Sequence, residues 1–290
     1  MGKSGQVGSA LLATLPRLGE LIAVGRSELD LTKLDSVRRT VREVKPQVIV
    51  NAAAYTAVDQ AEAEEPVAFR INRDGPATLA EEALKLGAML VHFSTDYVFD
   101  GDKGSPYVET DPTNPINAYG RSKLAGEEAI RHSGCRHVIL RTSWVYAERG
   151  KNFLVTMRRL VEEGNDLRVV DDQWGAPTST NMIARAVPCA VERVVADESL
   201  MGLYHMSAGG STTWFKFASA ILGHATSRPR IQAIPSAEYR APAKRPRNSV
   251  LDNSKLADAL KIRLPSWESG LEDVMRERAA LESQTKAEGM

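Results

Sequence analysis

This 290-residue sequence predicts a doubly wound, parallel α/β sheet followed by a smaller C-terminal lobe. Three observations lead there. Short apolar runs alternate with longer amphipathic segments through the first half of the chain, the rhythm of strand–helix–strand units. Glycines at 2, 5 and 8 form G-x-x-G-x-x-G at the amino terminus. Polar residues close several of the apolar runs, at the strand ends where such sheets bind ligands.

The elements run in order along the chain. Leu21 to Val24 reads as a strand and Lys33 to Val44 as a helix. Val48 to Asn51 is a strand, and Pro66 to Leu86 is mostly helical. Ala88 to Phe93 is a buried strand. Ile116 to His132 is a helix, announced by the loop and cap signal Asn114-Pro115-Ile116-Asn117. His137 to Leu140 is again a strand. Residues 1–150 thus make a Rossmann-like, dinucleotide-binding domain. Residues 151–290 read mainly as a substrate-binding lobe, with some segments returning to the first domain. In that lobe Asn152 to Glu163 is helical, Leu167 to Val170 a strand and Thr180 to Val195 a helix. Pro229 to Pro246 is proline-rich and irregular. Glu272 to Met290 is a charged surface helix that frays into a tail.

The glycine turn has a gap before it. It should hang from a buried central strand, yet only Met1 precedes Gly2. The expectation is therefore a sheet whose first strand is missing, with unpaired backbone on both neighbours.

Composition excludes several classes of function. Hydrophobic residues make up 43%, enough for a large core. Lys+Arg and Asp+Glu each total 37, a formal net charge of +0. That balance gives no general attraction to nucleic acid or membranes. No apolar run approaches the ~20 residues of a membrane helix, and no signal peptide is visible. Two distant cysteines, Cys135 and Cys189, fit a reducing cytoplasm rather than a disulfide framework. The five histidines have no metal-ligand spacing, so no metal is expected and His92 and His205 read as core or surface residues. A homodimer is left open.

The chemistry concentrates at Thr95, Tyr119 and Lys123. Tyr119 and Lys123, at i and i+4, share a helix face. A phenol near pKa ~10 is a poor acid at neutral pH. An adjacent ammonium lowers that pKa and makes the phenol a usable proton donor to a carbonyl oxygen, which the Thr95 hydroxyl would also hold. Beside a hydride donor, such a trio reduces a ketone. The turn at Gly2, Gly5 and Gly8 suits a pyrophosphate at a helix start. After Val24, Gly25 stands where an NAD enzyme usually carries an acid. Arg26 comes next and could pair with a 2′-phosphate, so NADPH is favoured over NADH. Lys244 to Arg247, with Arg245 in it, is the most basic cluster and suits a diphosphate.

Taken together, these residues make the chain resemble the extended short-chain dehydrogenase/reductase family, and within it the dTDP-4-dehydrorhamnose reductases. The resemblance rests on Gly2 to Gly8, Asn51 to Asp59, Ser94 to Gly101, Tyr119 to Lys123, Arg141 to Tyr146, Asp172 to Thr178 and Arg245 to Ser249. It implies a catalytic trio of Thr95, Tyr119 and Lys123. It implies that Gly5, Gln6 and Val7 touch cofactor phosphates, that Asp30 and Leu31 flank the adenine, and that Ala54, Tyr55 and Thr56 line the ribose and nicotinamide. Asp96 and Trp144 would contact the nucleotide-sugar substrate; an indole face suits a deoxysugar and its methyl. Two rivals remain: another nucleotide-sugar epimerase, reductase or dehydratase, and a non-catalytic regulatory subunit like that of methionine adenosyltransferase. Related dehydratases place Glu directly after Thr-Asp, and here that position is Tyr97.

Overall fold

The computed structural model describes residues 1–224 and 230–288. Pro229 and the end of the predicted tail, Gly289 and Met290, lie outside them.

The chain begins with the glycine turn and helix α1 (Gln6–Leu11), followed by α2 (Leu34–Val44) and strand β1 (Val48–Asn51). A helical stretch then runs through Glu65–Phe69, a π-helical turn at Arg70–Asp74, and α3 (Gly75–Leu86). Strand β2 (Met89–Thr95), helix α4 (Ala118–Ser133) and strand β3 (Arg136–Thr142) complete the regular alternation. The second half contains α5 (Phe153–Glu162), β4 (Leu167–Val170), α6 (Thr180–Ala196), β5 (Gly202–His205), α7 (Trp214–Gly223), β6 (Ile231–Ile234), α8 (Ser254–Ala259) and α9 (Trp267–Glu288).

The main sheet is parallel throughout, in the order β1-β2-β3-β5. Its strands are nearly continuous apolar runs because both faces are covered. On one face, Val37 and Val41 of α2 pack with Leu79, Ala80 and Ala83 of α3 against Ile49, Leu90 and Ile139. On the other, Leu11 of α1 and Ile183, Val187 and Val191 of α6 pack against Met89, Val91 and Leu140. A separate core around Tyr146, Leu154, Phe217 and Trp267 holds the second half together, and β4 pairs there with β6. The parallel register brings polar residues side by side near the carboxyl ends of the strands. Asn51 sits beside His92, and Thr95 beside Thr142.

Two segments differ from expectation. Leu21–Val24 does not form a strand. Its partner on the inner side is reduced to the first residues of the chain, since Gly2 N–H and Lys3 N–H donate to Val24 O at 2.9 and 3.2 Å. On the other side, the Met1 ammonium donates to Val50 O at 2.7 Å and Ala52 N–H donates to Met1 O at 3.2 Å. Met1 is thus a single rung between two edges. Beside it lies a cleft of about 430 Å³ lined by Leu11, Leu15, Leu21, Val24, Val48 and Val50. A strand without a ladder has no reason to be regular, and Ile22 is half exposed. In the proline-rich stretch expected to be irregular, Ile231–Ile234 is β6, because β4 offers it a parallel partner.

Candidate active site

A cleft of about 650 Å³ opens at the carboxyl ends of β1, β2 and β3. One wall is the glycine turn. Gly2 has φ +80°, and a Cβ on Gly8 would lie 1.9 Å from Gly2 O, so α1 presses directly on the turn. That close approach requires glycine at 8. Gly5 caps α1, and the first N–H groups of Gln6 and Val7 have no intrahelical acceptor. Gln6 is tied across the cleft, where Asn152 Nδ2 donates to its Oε1 at 2.8 Å.

The opposite wall is β2 and α4. Asn117 caps α4, its side-chain oxygen accepting from Gly120 N–H at 2.7 Å. Gly120 lets the helix ride against the loop after β2, because a Cβ there would lie 2.2 Å from Tyr97 O. This contact brings Tyr119 and Lys123 over the end of β2. Thr95 Oγ1 donates to Asp96 Oδ1 at 3.0 Å and accepts from Tyr97 N–H. Ser143 Oγ donates to Asp96 Oδ2 at 2.9 Å.

Burial dominates the electrostatics. It raises the Asp96 carboxyl to about 6, against hydrogen bonds from Ser249, Ser143 and Thr95 that favour the charged form. It also pushes the Tyr119 phenol up to about 12, opposed by its hydrogen bond with Thr95. The lowering expected from Lys123 is absent from this cleft. Burial instead pulls Lys123 down to about 8, and its Nζ is bonded to Phe93 O and against His92 rather than to Tyr119.

Most of the expected residues share the cleft. Gly2, Gly5, Gln6, Val7, Arg26, Asp30, Leu31, Ala54, Thr56, Thr95, Asp96, Tyr119, Lys123, Trp144 and Arg245 all line it. Gly8 and Tyr55 do not. Gly8 is packed beneath Gly2, and the Tyr55 hydroxyl turns away to donate to Glu64 at 2.8 Å. Arg26 stands largely exposed at the mouth, 3.7 Å from Asp30. Arg245 is clamped by Asp59 through two bonds of 2.8 and 3.0 Å. Trp144 adopts φ +46°, uncommon for a bulky residue, and stacks on Trp214 at 3.5 Å between centroids.

Trp214, Phe153 and Asn152 line the cleft although the sequence alone does not single them out, and Asn51 and His92 stand behind Lys123. A signal exists for the last two, since each is a polar residue inside or closing a buried apolar strand, where an unpaired group is costly. Trp214 has none, because the lobe that brings it to Trp144 is assembled by long-range packing. Among the described residues no group of His, Cys, Asp or Glu converges as a metal site, and no helix is long and apolar enough to cross a membrane.

A cleft at the carboxyl edge of a parallel sheet, with a glycine turn on one wall and Thr, Tyr and Lys on the other, defines a reductase of the extended short-chain dehydrogenase/reductase type. The chain belongs to the family described as the RmlD substrate binding domain, whose profile matches residues 1–280. It is 45% identical over 278 residues to dTDP-4-dehydrorhamnose reductase of Burkholderia thailandensis, covering 92% of this chain and 93% of that one. It is 41% identical to the Escherichia coli K12 enzyme of the same name, over 95% and 96% of the two chains. The crystal structure of dTDP-4-dehydrorhamnose reductase from Bacillus anthracis in complex with NADP superimposes with a TM-score of 0.88 at 37% identity, over 95% and 97% of the chains.

Proposed function

We propose that this chain is a dTDP-4-dehydrorhamnose reductase, which reduces the 4-keto group of dTDP-4-dehydro-L-rhamnose with NADPH to give dTDP-L-rhamnose. The observation that carries the reading is the meeting of Thr95, Asp96, Tyr119, Lys123 and Trp144 in one cleft with the glycine turn. The cleft suits NADPH. Ser94 Oγ and Thr142 Oγ1 are buried in its wall without a hydrogen-bond partner, as expected of groups awaiting a polar ligand. In this reading residues 1–150 hold the cofactor and 151–290 mainly the sugar nucleotide. Gly2, Gly5, Gln6 and Val7 take the phosphates, Asp30 and Leu31 flank the adenine, Ala54 and Thr56 line the nicotinamide side, and Arg26 reads the 2′-phosphate. The free thiols of Cys135 and Cys189 accord with work in the cytoplasm.

NADPH supplies the hydride when bound. The chain's own task is to hold the carbonyl and deliver a proton. Thr95 and Tyr119 would both hydrogen-bond the keto oxygen, fixing its position. As negative charge develops there, Tyr119 gives up its phenolic proton; Lys123, held on Phe93 O and against His92, would steady the phenolate left behind only as an ammonium that turns towards Tyr119 in the reacting complex. A phenol held at about 12 transfers little until that charge appears, which restricts proton delivery to the reacting complex. Trp144 would cover the sugar ring, and Arg245 would meet the diphosphate by sharing or leaving Asp59. Dehydration of the sugar is disfavoured, because Tyr97 in the dehydratase's Glu position is buried and pushed well above an ordinary phenol. The test is turnover of dTDP-4-dehydro-L-rhamnose by the purified chain, followed by NADPH consumption and product analysis. NADPH binding without rhamnose formation would overturn the substrate assignment.

A further inference from the structure

Lys123 is held from behind by a chain of hydrogen bonds with a definite polarity. Its side chain is buried, Nζ donates to Phe93 O at 2.6 Å, and Nζ lies 3.1 Å from His92 Nε2. Across the ring, His92 Nδ1 lies 3.1 Å from Asn51 Nδ2. The Asn51 amide has its orientation fixed, because Oδ1 accepts from Ala53 N–H at 3.2 Å. Its N–H therefore points at Nδ1, and an amide N–H can only donate. Nδ1 must accept, which leaves the single ring proton of a neutral imidazole on Nε2, aimed at Lys123. An ammonium has no lone pair to receive it. Every bond in the chain is satisfied only when Lys123 is a neutral amine.

The charged alternative carries a structural penalty. An ammonium at Lys123 donates to Nε2, so the ring proton must reside on Nδ1, where it faces the Asn51 N–H. Relief requires turning the Asn51 amide, and Ala53 N–H then loses Oδ1. The surrounding charges do not decide the matter. Glu127, one turn along α4, raises the affinity of Lys123 for a proton, but both its oxygens are held by Arg141 of β3. Tyr119 lies one turn back on α4. Asn51 from β1 and Asn72 from the π-helical turn behind α4 are uncharged. Burial and Lys123 hold His92 well below an ordinary imidazole, so the ring stays neutral while Lys123 titrates.

We infer that Asn51 and His92 are positioning residues that set the charge of Lys123, coupling proton uptake at Nζ to a change of the His92 tautomer and a turn of the Asn51 amide. One proton enters from solvent at Nζ; the ring keeps one proton throughout and changes the nitrogen that bears it. The kinetic consequence rests on the catalytic role given to Lys123 above, whereas the tautomer can be read without substrate.

The test is a ¹⁵N NMR titration of His92 in the intact chain, with Asn51→Asp beside it. In the parent, the proton should sit on Nε2 at alkaline pH and move to Nδ1 as pH falls, without an imidazolium. In Asn51→Asp a carboxylate accepts from both Ala53 N–H and Nδ1–H. The proton should then stay on Nδ1, and the alkaline limb of kcat should move up by about one pH unit or more, with a smaller change in KM. A parent ring that bears its proton on Nδ1 at every pH overturns the inference, as does an alkaline limb that stays put in a folded Asn51→Asp chain. If the parent shows no turnover at all, the reductase reading fails and the NMR titration still decides this one.

Discussion

The two walls of the cleft are built to different standards. The β2/α4 wall is over-determined. Thr95 is fixed by Asp96 and Tyr97, Asp96 by Ser143, Lys123 by Phe93 and His92, and the Asn117 cap and Gly120 contact set the helix itself. The glycine-turn wall hangs from one residue. Met1 bonds to Val50, Ala52 and, through its neighbour Gly2, Val24, and a cleft of about 430 Å³ lies beside it. The ammonium in that ladder is pulled down to about 6 by burial, a sign of how poorly a charge suits the place. Placement of Tyr119 and anchoring of the glycine turn are therefore separable properties of this molecule.

Substitutions should separate them. The largest effect is expected from Tyr119→Phe, which removes the proposed proton donor and leaves the glycine turn untouched. Turnover should fall about 10²–10⁴-fold while NADPH affinity changes little. A mutant with near-normal turnover would sink the catalytic assignment.

The reciprocal experiment fills the other wall. A chain extended ahead of Met1 by six Val/Ile-rich residues should gain ladder bonds to the 21–24 segment and β1, each worth roughly 1 kcal/mol, plus apolar burial. We expect a melting temperature higher by about 5–10 °C and tighter NADPH binding. Identical melting and binding in the two chains would mean that Met1 already anchors the turn fully.

Asp96 gives a pH-dependent handle on the rigid wall. Its folded pKa of about 6 lies above its ordinary value of 3.8, so folding favours the protonated form. The resulting penalty is present in full above pH 6, on the order of 3 kcal/mol, and is relieved as pH falls from 6 towards 3.8. Asp96→Asn should therefore melt higher than the parent at pH 8 and lose that advantage near pH 4, while substrate binding weakens. Equal melting of the two proteins at pH 8 would refute the buried-charge account.

The smallest effect belongs to Arg26→Ala at the exposed mouth, which should raise KM for NADPH about ten-fold more than KM for NADH. Equal changes for both cofactors would remove Arg26 from 2′-phosphate recognition.

Much of this is legible in the chain because it is written locally. Tyr119 and Lys123 are paired by helical periodicity, the α4 start by Asn117, and β1, β2 and β3 by apolar runs ending in polar residues. The features that escape a sequence depend on partners distant in the chain. Leu21 to Val24 has the composition of a strand but lacks the ladder that would make it one. Ile231 to Ile234 sits in a proline-rich stretch and becomes a strand because β4 lies beside it. The raised phenol of Tyr119 reflects the depth of the cleft, which periodicity cannot report, and the Asn51–His92 contact depends on the register of β1 against β2.

The stacked indoles of Trp144 and Trp214 join the two halves of the molecule. One comes just after β3 and the other opens α7, and their planes lie 5° from parallel. Two chromophores so close share their excited states, so the circular dichroism they produce jointly depends on their mutual angle and spacing. Any change in that angle or spacing would change the signal. The protein thus carries its own optical gauge of how these two indoles are held, readable in stopped-flow without any label.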